Sequence, residues 1–416
     1  MGTATTDAAR AEAAAVPLDK IDVANPQLFQ DDTVEAYFAR LRKEDPVHYC
    51  AESRFGPYWS ITKFQDIMTV EVNHKVFSSD IMLGGITVRD VPVEHRRPMF
   101  IAADPPRHDE QRKAVSPIVA PNNLAQMESL IRSRTQEVLD SLPRNETFDW
   151  VDKVSIELTT RMLATLFDFP FEDRRLLTYW SDVTTVDITA GGPIDTDEKR
   201  TAELMKCYAY FKKLFDERKA QPPRGDLVSM LAHNPATSDL PPMEFLGNIL
   251  LLIVGGNDTT RNSMSGGLLA MMQHPGEWQK LRDNPALVPS AVSEIIRWQT
   301  PLSHMRRTAV ADFELGGKTI RKGDKLAMWY LSGNRDEEAI ERAHEFIIDR
   351  KNPRQHLSFG FGIHRCVGNR LAELQLKILW EEILARFPTI EQVGEPKRLF
   401  SNFVHGITAL PVRIPG

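Results

Sequence analysis

One cysteine of this 416-residue chain, Cys366, has a sequence environment suited to chemistry. It lies among three glycines in the segment FGFGIHRCVG, from Phe359 to Gly368, directly before a helical pattern over 369–386. Glycine lets a flat group lie close to the backbone, and the start of a helix stabilises a thiolate through unpaired N–H groups and the helix dipole. The pattern therefore favours a buried thiolate that binds a cofactor, with an ordinary core cysteine as the alternative.

A second pattern interrupts a long apolar segment over residues 243–272. The chain there reads GGNDTT, from Gly255 to Thr260, although each glycine inside a helix costs about 1 kcal/mol relative to alanine. Function is expected where local propensity is violated in this way. A hydroxyl such as that of Thr259 can bond back to a helix carbonyl, open the helix and leave room for water. The alternative is a kink with a structural role only.

A third pattern is the pair Glu294 and Arg297, whose i, i+3 spacing places both residues on one face of a predicted helix. An exposed ion pair of this kind contributes little to stability. The pair alone is therefore a weak signal.

These residues need a scaffold, and the hydrophobic periodicity predicts a mainly α fold with a small β component. Apolar residues at three- and four-residue spacing predict helices over 124–142, 151–167, 201–219, 243–272, 276–282 and 289–298. Strand signals cover 57–62, 307–315, 318–320 and 326–331, with a hairpin turn at Gly316-Gly317. The segment 243–272 would span roughly 45 Å, and a helix that is apolar on most sides belongs at the centre.

Composition excludes several other classes. The net charge of −6 argues against a general nucleic-acid binder, and the scattered cysteines Cys50, Cys207 and Cys366 argue against a disulfide framework or a structural zinc site. The longest apolar stretch, 249–254, is far shorter than the roughly 18 residues of a membrane span. We expect a soluble, cytoplasmic protein with a flexible N-terminal tail over 1–16 and a single domain over 17–416.

Together these patterns resemble the cytochrome P450 superfamily. Its haem-binding signature fits at Phe359, Gly362, Cys366 and Gly368. Glu294 and Arg297 match the superfamily's core Glu–Arg pair in order and in distance before the cysteine. Phrases such as FGPYWSITK and EIIRWQTPLSHMRRTA are similar to those of the soluble bacterial alkane and fatty-acid terminal hydroxylases.

The resemblance implies a cytochrome P450 fold, with haem b between the long central helix and the cysteine loop. Cys366 would be the axial ligand of the iron. The other implied haem contacts are His108, Arg112, Arg307 and His364 at the propionates, and Phe359, Gly362, Gly368 and Gly255. Arg306 is the alternative to Arg307.

The resemblance also assigns roles in catalysis and support. Thr259 would hold the oxygen bound at the iron together with a water, and Asp258 would feed protons inward. Glu294 and Arg297 would be structural, supporting the cysteine loop together with the segment 334–336.

The implied reaction inserts one atom of O2 into a C–H bond of a linear aliphatic substrate. Terminal hydroxylation of medium-chain n-alkanes is the favoured form, because no arginine is evident for a substrate carboxylate. A narrow apolar channel would present the chain end, with 81–100 and 178–195 as loops over its entrance. The predicted walls of the channel are Ile253, Val254, Gly255, Leu302, Met305 and Phe403.

The chain shows no flavin or iron–sulfur segment. Electrons would therefore come from a ferredoxin and an NAD(P)H-dependent ferredoxin reductase. A basic patch could dock the ferredoxin, although its charges could also be solvated or face the propionates. The residues of this patch are Arg112, Lys113, Arg354 and Arg365.

Four alternatives stay open. The substrate could be a fatty acid hydroxylated at its omega position, or a different apolar terpenoid or ring compound. The oxidant could be hydrogen peroxide, against which the Asp258–Thr259 pair argues. A non-enzymatic haem sensor with iron held by histidine would leave the complete cysteine signature unexplained.

Overall fold

A computed structural model describes residues 7–416, and helices dominate it. The α-helices are α1 (Asp7–Ala15), α2 (Pro26–Gln30), α3 (Val34–Glu44), α4 (Phe64–Val72), α5 (Arg107–Val115), α6 (Pro121–Asp140), α7 (Glu157–Phe167), α8 (Arg175–Thr185), α9 (Asp197–Lys219), α10 (Leu227–His233), α11 (Pro242–Gln273), α12 (Pro275–Asp283), α13 (Val288–Gln299), α14 (Tyr330–Gly333) and α15 (Asn369–Arg386). The strands are β1 (Val47–Cys50), β2 (Tyr58–Ile61), β3 (Phe77–Ser78), β4 (Thr147–Asp149), β5 (His304–Ala309), β6 (Phe313–Leu315), β7 (Lys318–Ile320), β8 (Lys325–Trp329), β9 (Glu391–Gln392), β10 (Lys397–Arg398), β11 (Ile407–Ala409) and β12 (Pro411–Arg413). The predicted fold class is confirmed.

Helix α11 is the longest in the described part of the chain and runs through its centre. Its 32 residues span about 48 Å. It begins at Pro242, where proline costs no hydrogen bond because the N–H groups of the first turn have no partner within the helix. Ile249 lies in one apolar cluster and Leu268 in another, and helices α7, α8 and α13 pack against α11. The predicted central helix is therefore confirmed.

The other predicted helices are also present, with small differences at their ends. The pattern over 151–167 divides into a π-helical segment, Val151–Ile156, and helix α7. The predicted strand over 307–315 divides into β5 and β6. The hairpin turn between β6 and β7 has positive φ at Gly316 (57°) and Gly317 (74°), which is the geometry that favours glycine in a tight hairpin.

A five-stranded sheet lies beside the helical body, in the order β1-β2-β8-β5-β3. Strands β2 and β8 are parallel, and the other neighbours in this sheet are antiparallel. Strand β5 pairs with β8 so that Arg307 stands opposite Leu326. Because side chains alternate along a strand, Arg306 and Arg307 leave β5 on opposite faces.

The N-terminal segment differs from its prediction as a flexible tail. Residues Asp7–Ala15 form helix α1, with Ala9 and Ala13 buried against α3. Arg40 donates to the carbonyl oxygens of Ala13 (2.5 Å) and Val16 (2.7 Å), which satisfies the end of the helix. The alanine content that suggested disorder is instead a strong helix former with a small packing face. Residues 1–6 lie outside the described part.

The segment 178–195 was predicted as a loop, but its first part belongs to α8. Leu177, Trp180 and Val183 are buried at helical spacing, and the serines and threonines between them concealed this pattern. Among residues 7–416, no helix combines the length and the apolarity needed to cross a bilayer.

Candidate active site

A cavity of about 410 Å³ lies between α11 and the segment that carries Cys366. Helix α11 contributes one wall, and the segments 301–307 and 358–372 contribute others. Residues from two further stretches, 81–102 and 184–200, also line the cavity, and we call these two stretches the roof. Most of the lining is apolar, and a few polar side chains reach into it, as in pockets that bind small molecules.

Glycines shape the loop before Cys366. Gly360 and Gly362 both have φ of 64°, a left-handed conformation. A Cβ on Gly362 would stand 2.5 Å from the carbonyl oxygen of Glu71, so only glycine allows this close approach to α4. Gly362 therefore serves packing and does not line the cavity, which corrects its predicted contact with a cofactor.

Cys366 stands where this loop turns into α15. Its N–H donates to the carbonyl oxygen of Phe359 at 2.8 Å, and its side chain opens onto the cavity. Burial raises the pKa of the thiol, while the N–H of Gly368, the guanidinium of Arg112 and the N–H of Asn369 lower it. The sulfur thus has the helix-start donors that the sequence predicted, and a bound cation would complete the stabilisation of its anion.

The pair Glu294–Arg297 is buried next to this loop and makes two mutual hydrogen bonds, at 2.7 and 2.8 Å. The other donors of Arg297 bind the main-chain carbonyl oxygens of Asn334 (2.7 Å), Ala343 (2.9 Å) and Glu345 (2.9 Å). Asn334 in turn accepts from the N–H of Leu357 at 2.6 Å and donates to the hydroxyl of Ser358 at 2.9 Å. The pair and Asn334 therefore have the supporting position that the sequence predicted for them. We call this group the brace.

Polar groups gather along one part of the cavity lining, where His108, His364, Arg112 and Arg307 lie near one another. The rings of His108 and His364 are 4.4 Å apart. Burial lowers the pKa of both histidines, that of His364 to about 2. His108 Nε2 and His364 Nδ1 are buried and have no hydrogen-bond partner within residues 7–416. Each therefore has a ring nitrogen available to a ligand.

Strand β5 decides between the two adjacent arginines. Arg307 lines the cavity, whereas Arg306 points to the other face and pairs with Asp90 at 2.5 Å. Arg307 donates to the carboxylate of Glu71 at 2.7 Å, and Glu71 also accepts from the hydroxyl of Tyr330. Glu71 could not be identified from the sequence, because its partners lie more than 200 positions away in the chain.

The GGNDTT segment of α11 lies against the cavity. The hydroxyl of Thr259 donates to the carbonyl oxygen of Gly255 at 2.7 Å, and both residues line the cavity. Asp258 is fully buried and points away from it; its carboxylate accepts from Arg261 at 2.6 Å and from the hydroxyl of Thr185 at 3.3 Å. Because Thr185 lines the cavity, it links the buried carboxylate to the lining.

Five of the six predicted channel walls line the cavity: Val254, Gly255, Leu302, Met305 and Phe403. Ile253 does not. It is buried in an apolar cluster among the helices, which corrects its assignment to the wall. One residue along a helix turns the side chain by about 100°, so neighbours in sequence face different surroundings.

The segments 81–100 and 178–195 were predicted to cover the entrance of the channel, but the charges of the roof were missed. Arg89, Arg96, Arg97 and Arg200 all line the cavity. The only signal in the sequence was the Arg96-Arg97 doublet in a segment without clear periodicity.

Known proteins share this sequence and architecture. The family model "Cytochrome P450" matches residues 193–414, more than half of the chain. Linalool 8-monooxygenase of Pseudomonas putida is 34% identical over 409 residues, which cover 95% of this chain and 99% of that protein. Steroid C26-monooxygenase of Mycolicibacterium smegmatis is 33% identical over 383 residues, 89% of this chain and 88% of that protein. The chain belongs to the cytochrome P450 family.

A solved cytochrome P450 shows the same fold. The structure of CYP153D17 from Sphingomonas sp. PAMC 26605 superposes with a TM-score of 0.91 at 49% identity, covering 96% of this chain and 100% of that chain. The protein is therefore a cytochrome P450 monooxygenase, and the cofactor of its family is haem b.

The cavity fits haem b. The cysteine at the helix start is the type of ligand that holds the iron in cytochromes P450, and the unpartnered nitrogens of His108 and His364 suit the propionates. A Cβ built on Gly255 or Gly368 meets no atom within 4 Å, so these positions leave space beside a flat group. Sulfur ligand, anion-binding groups and clearance thus occur in one cavity.

Proposed function

We propose that this cytochrome P450 hydroxylates an aliphatic chain at or near its terminal methyl group. The observation that carries the proposal is the cavity in which Cys366 and Thr259 share a mainly apolar lining. The relatives support it, because position 8 of linalool and position 26 of a steroid are both methyl carbons at the end of a chain. Val254, Leu302 and Met305 are the apolar walls that orient the chain in this proposal.

When bound, haem b supplies the oxidising chemistry: with O2, two electrons and two protons, R–H becomes R–OH and water. Cys366 binds the iron through its thiolate in this proposal, and His108, Arg112, Arg307 and His364 bind the propionates. The apolar walls exclude water from the reacting end of the substrate.

Thr259 and Asp258 manage protons in this proposal. The Thr259 hydroxyl faces the cavity and orients a hydrogen-bonded water. Asp258 exchanges protons with the cavity through the hydroxyl of Thr185, 3.3 Å from its carboxylate. Arg261 binds both Asp258 (2.6 Å) and Asp182 (3.0 Å), so it connects the buried acid to a half-exposed one. This chain of groups leads from the protein surface to the cavity.

We infer that electrons arrive from a ferredoxin reduced by an NAD(P)H-dependent reductase. Lys113 and Arg365 are exposed, and Arg354 is exposed and pairs with Glu373 at 3.1 Å. These three residues support a basic docking surface near the cysteine loop. Arg112 belongs to the cavity instead, since its guanidinium donates inward to the carbonyl oxygen of Arg365 at 2.5 Å. A cytoplasmic location stays a prediction.

The test is turnover by the haem-loaded protein with O2, NAD(P)H, ferredoxin, reductase and a graded series of medium-chain n-alkanes. We expect 1-alkanols as the main products, and a strongly red-shifted carbon monoxide band for the reduced protein. Cys366→Ala should lose both the band and the activity, whereas Cys207→Ala, which changes a buried cysteine outside the cavity lining, should keep both. Products only from ring compounds, or turnover only with hydrogen peroxide, would contradict the proposal.

A further inference from the structure

One charged side chain in the roof has no partner. Within residues 7–416 the guanidinium of Arg97 makes no hydrogen bond and no ion pair, although Arg97 is half-buried and lines the cavity. The adjacent Arg96 differs, because it donates to the carbonyl oxygens of Val91 (3.0 Å) and Met82 (3.1 Å). Arg97 is therefore a free donor group at the edge of an apolar cavity.

The charges around Arg97 do not balance. Asp197 is the carboxylate that acts on it, and Asp197 already accepts from Arg89 at 2.5 Å and from Arg200 at 3.2 Å. Burial lowers the pKa of Arg97 to about 10, and repulsion from Arg200 and Arg89 adds to this effect against the attraction of Asp197. Two guanidinium groups thus already bind the one carboxylate that attracts Arg97. A second anion would relieve the cost of burying this unpaired cation.

Two further carboxylates of the roof have other partners. Asp187 lines the cavity but binds Arg54. Glu198 is exposed and faces His95 at 3.4 Å. Neither pairs with Arg97, which leaves its guanidinium open to an anion from a ligand.

The point at which the Arg97 segment packs on α11 indicates how long such a ligand would be. The next residue, Pro98, packs on α11 at Gly247 so closely that a side chain there would collide with its carbonyl oxygen. Asn248 then fixes this contact by accepting from the N–H of Phe100 at 2.9 Å. Gly247 precedes Gly255 by eight residues, which corresponds to about 12 Å along the helix. The main chain of Arg97 therefore meets α11 about two turns before Gly255.

We propose that Arg97 binds the carboxylate of a medium-chain fatty acid, whose alkyl chain then extends beside α11 towards Gly255. This inference rests on the proposed function, since it names a fatty acid as the aliphatic chain and assigns the end opposite its terminal methyl group. An extended chain with C–C bonds of about 1.5 Å advances by roughly 1.3 Å per carbon, so 12 Å holds roughly nine or ten carbons. Arg97 supplies the arginine for a substrate carboxylate that was not evident from the sequence.

The test compares two ligands of equal length and different charge. Decanoate and 1-decanol are titrated into the haem-loaded protein, and the dissociation constants are measured by calorimetry and by the shift of the haem absorption band. In the unchanged protein decanoate should bind more tightly. Arg97→Gln should weaken decanoate by about 10- to 100-fold and 1-decanol by less than about threefold. Arg97→Lys should retain part of the preference.

Arg96→Gln is the matched control. It removes the same charge from the neighbouring position, where the guanidinium already binds main-chain oxygens. It should change the ratio of the two dissociation constants by less than about threefold. If Arg97→Gln weakened both ligands equally, or if both substitutions weakened decanoate equally, the anion site would be wrong while the proposed function would stand. Failure of both ligands to bind the unchanged protein would overturn the proposed function as well.

Discussion

Behind the cysteine loop all five N–H donors of Arg297 have acceptors, whereas in the roof Arg97 has none within residues 7–416. Both are arginines at least half withdrawn from solvent, and both belong to the surroundings of one cavity. In the brace each hydrogen bond fixes a main-chain segment that shapes the Cys366 loop. In the roof the donors of Arg97 are left to a ligand.

This difference separates two tasks of the protein. A fully satisfied buried network is rigid and permits one arrangement, which suits a loop that must hold a metal ligand. A partly satisfied group gains free energy only when a complementary ligand arrives, which suits the recognition of a substrate. In the proposed function the brace therefore positions the cysteine loop, and the roof selects the substrate.

The largest expected effect comes from breaking the brace. Arg297→Gln leaves the carboxylate of Glu294 buried with Arg350 as its remaining charged partner, and loss of one member of a buried pair costs about 3–5 kcal/mol. Urea unfolding should show this loss in free energy, and the purified variant should retain less haem. As a control, Arg413→Gln breaks an exposed pair with Glu391 (2.7 Å) and should cost less than about 1 kcal/mol. Similar losses of unfolding free energy in the two variants would mean that the buried pair stabilises the protein no more than an exposed one does.

A smaller effect should appear in the roof at low pH. His304 on β5 accepts from the N–H of Val88 at 3.1 Å and donates to the carbonyl oxygen of Asn402 at 2.9 Å. Burial lowers the pKa of His304 from 6.5 to about 4. The unfolded chain therefore binds the proton more readily. The contribution of His304 to the free energy of unfolding is fully present above pH 6.5. It falls by about 3 kcal/mol as the pH is lowered to 4.

Hydrogen exchange can locate this loss. Protonated His304 can no longer accept from Val88, so the amide of Val88 should lose protection as the pH falls from 6.5 to 4. The amide of Leu357, which donates to Asn334 in the brace, should keep its protection longer. If both amides lost protection together, the roof and the brace would be one cooperative unit.

The smallest expected effect concerns Asp258 on α11, the helix that forms one wall of the cavity. Asp258→Asn removes the buried acid but keeps a side chain of the same size, and loss of a proton-transfer group should lower product formation by about 10- to 100-fold. Substrate affinity should not change, and the solvent isotope effect on turnover should rise. Asp182→Asn, which changes the outer partner of Arg261, should slow turnover less. Unchanged turnover in Asp258→Asn would exclude this proton route.

The sequence predicted best those features that depend on neighbours in the chain. The cysteine loop, the Glu294–Arg297 pair and the central helix are each encoded in one short segment, so their spacing alone was informative. The adjacent glycines Gly255 and Gly256 of α11 show the limit of such predictions. Gly255 leaves open space in the cavity, but a Cβ on Gly256 would stand 2.6 Å from the side chain of Leu163 on α7, so this second glycine serves packing.

Features that depend on distant segments could not be predicted. Arg97 became significant only when its lack of a partner was visible, which requires knowing every neighbouring side chain. Arg307 was preferred to Arg306 only by resemblance until the register of β5 fixed their directions. Ile253 was assigned to the wrong surroundings because a helix that is apolar on most sides does not reveal which face meets a cavity.

Glu71 holds Arg307 in place before any anion binds to it. Its carbonyl oxygen receives the close approach of Gly362, while its carboxylate binds Arg307 and the hydroxyl of Tyr330. A free arginine side chain would give up about 2 kcal/mol of rotamer entropy on capturing an anion. Folding has already ordered Arg307 through Glu71. An anion that reaches Arg307 therefore meets a preorganised group and binds without this entropic cost.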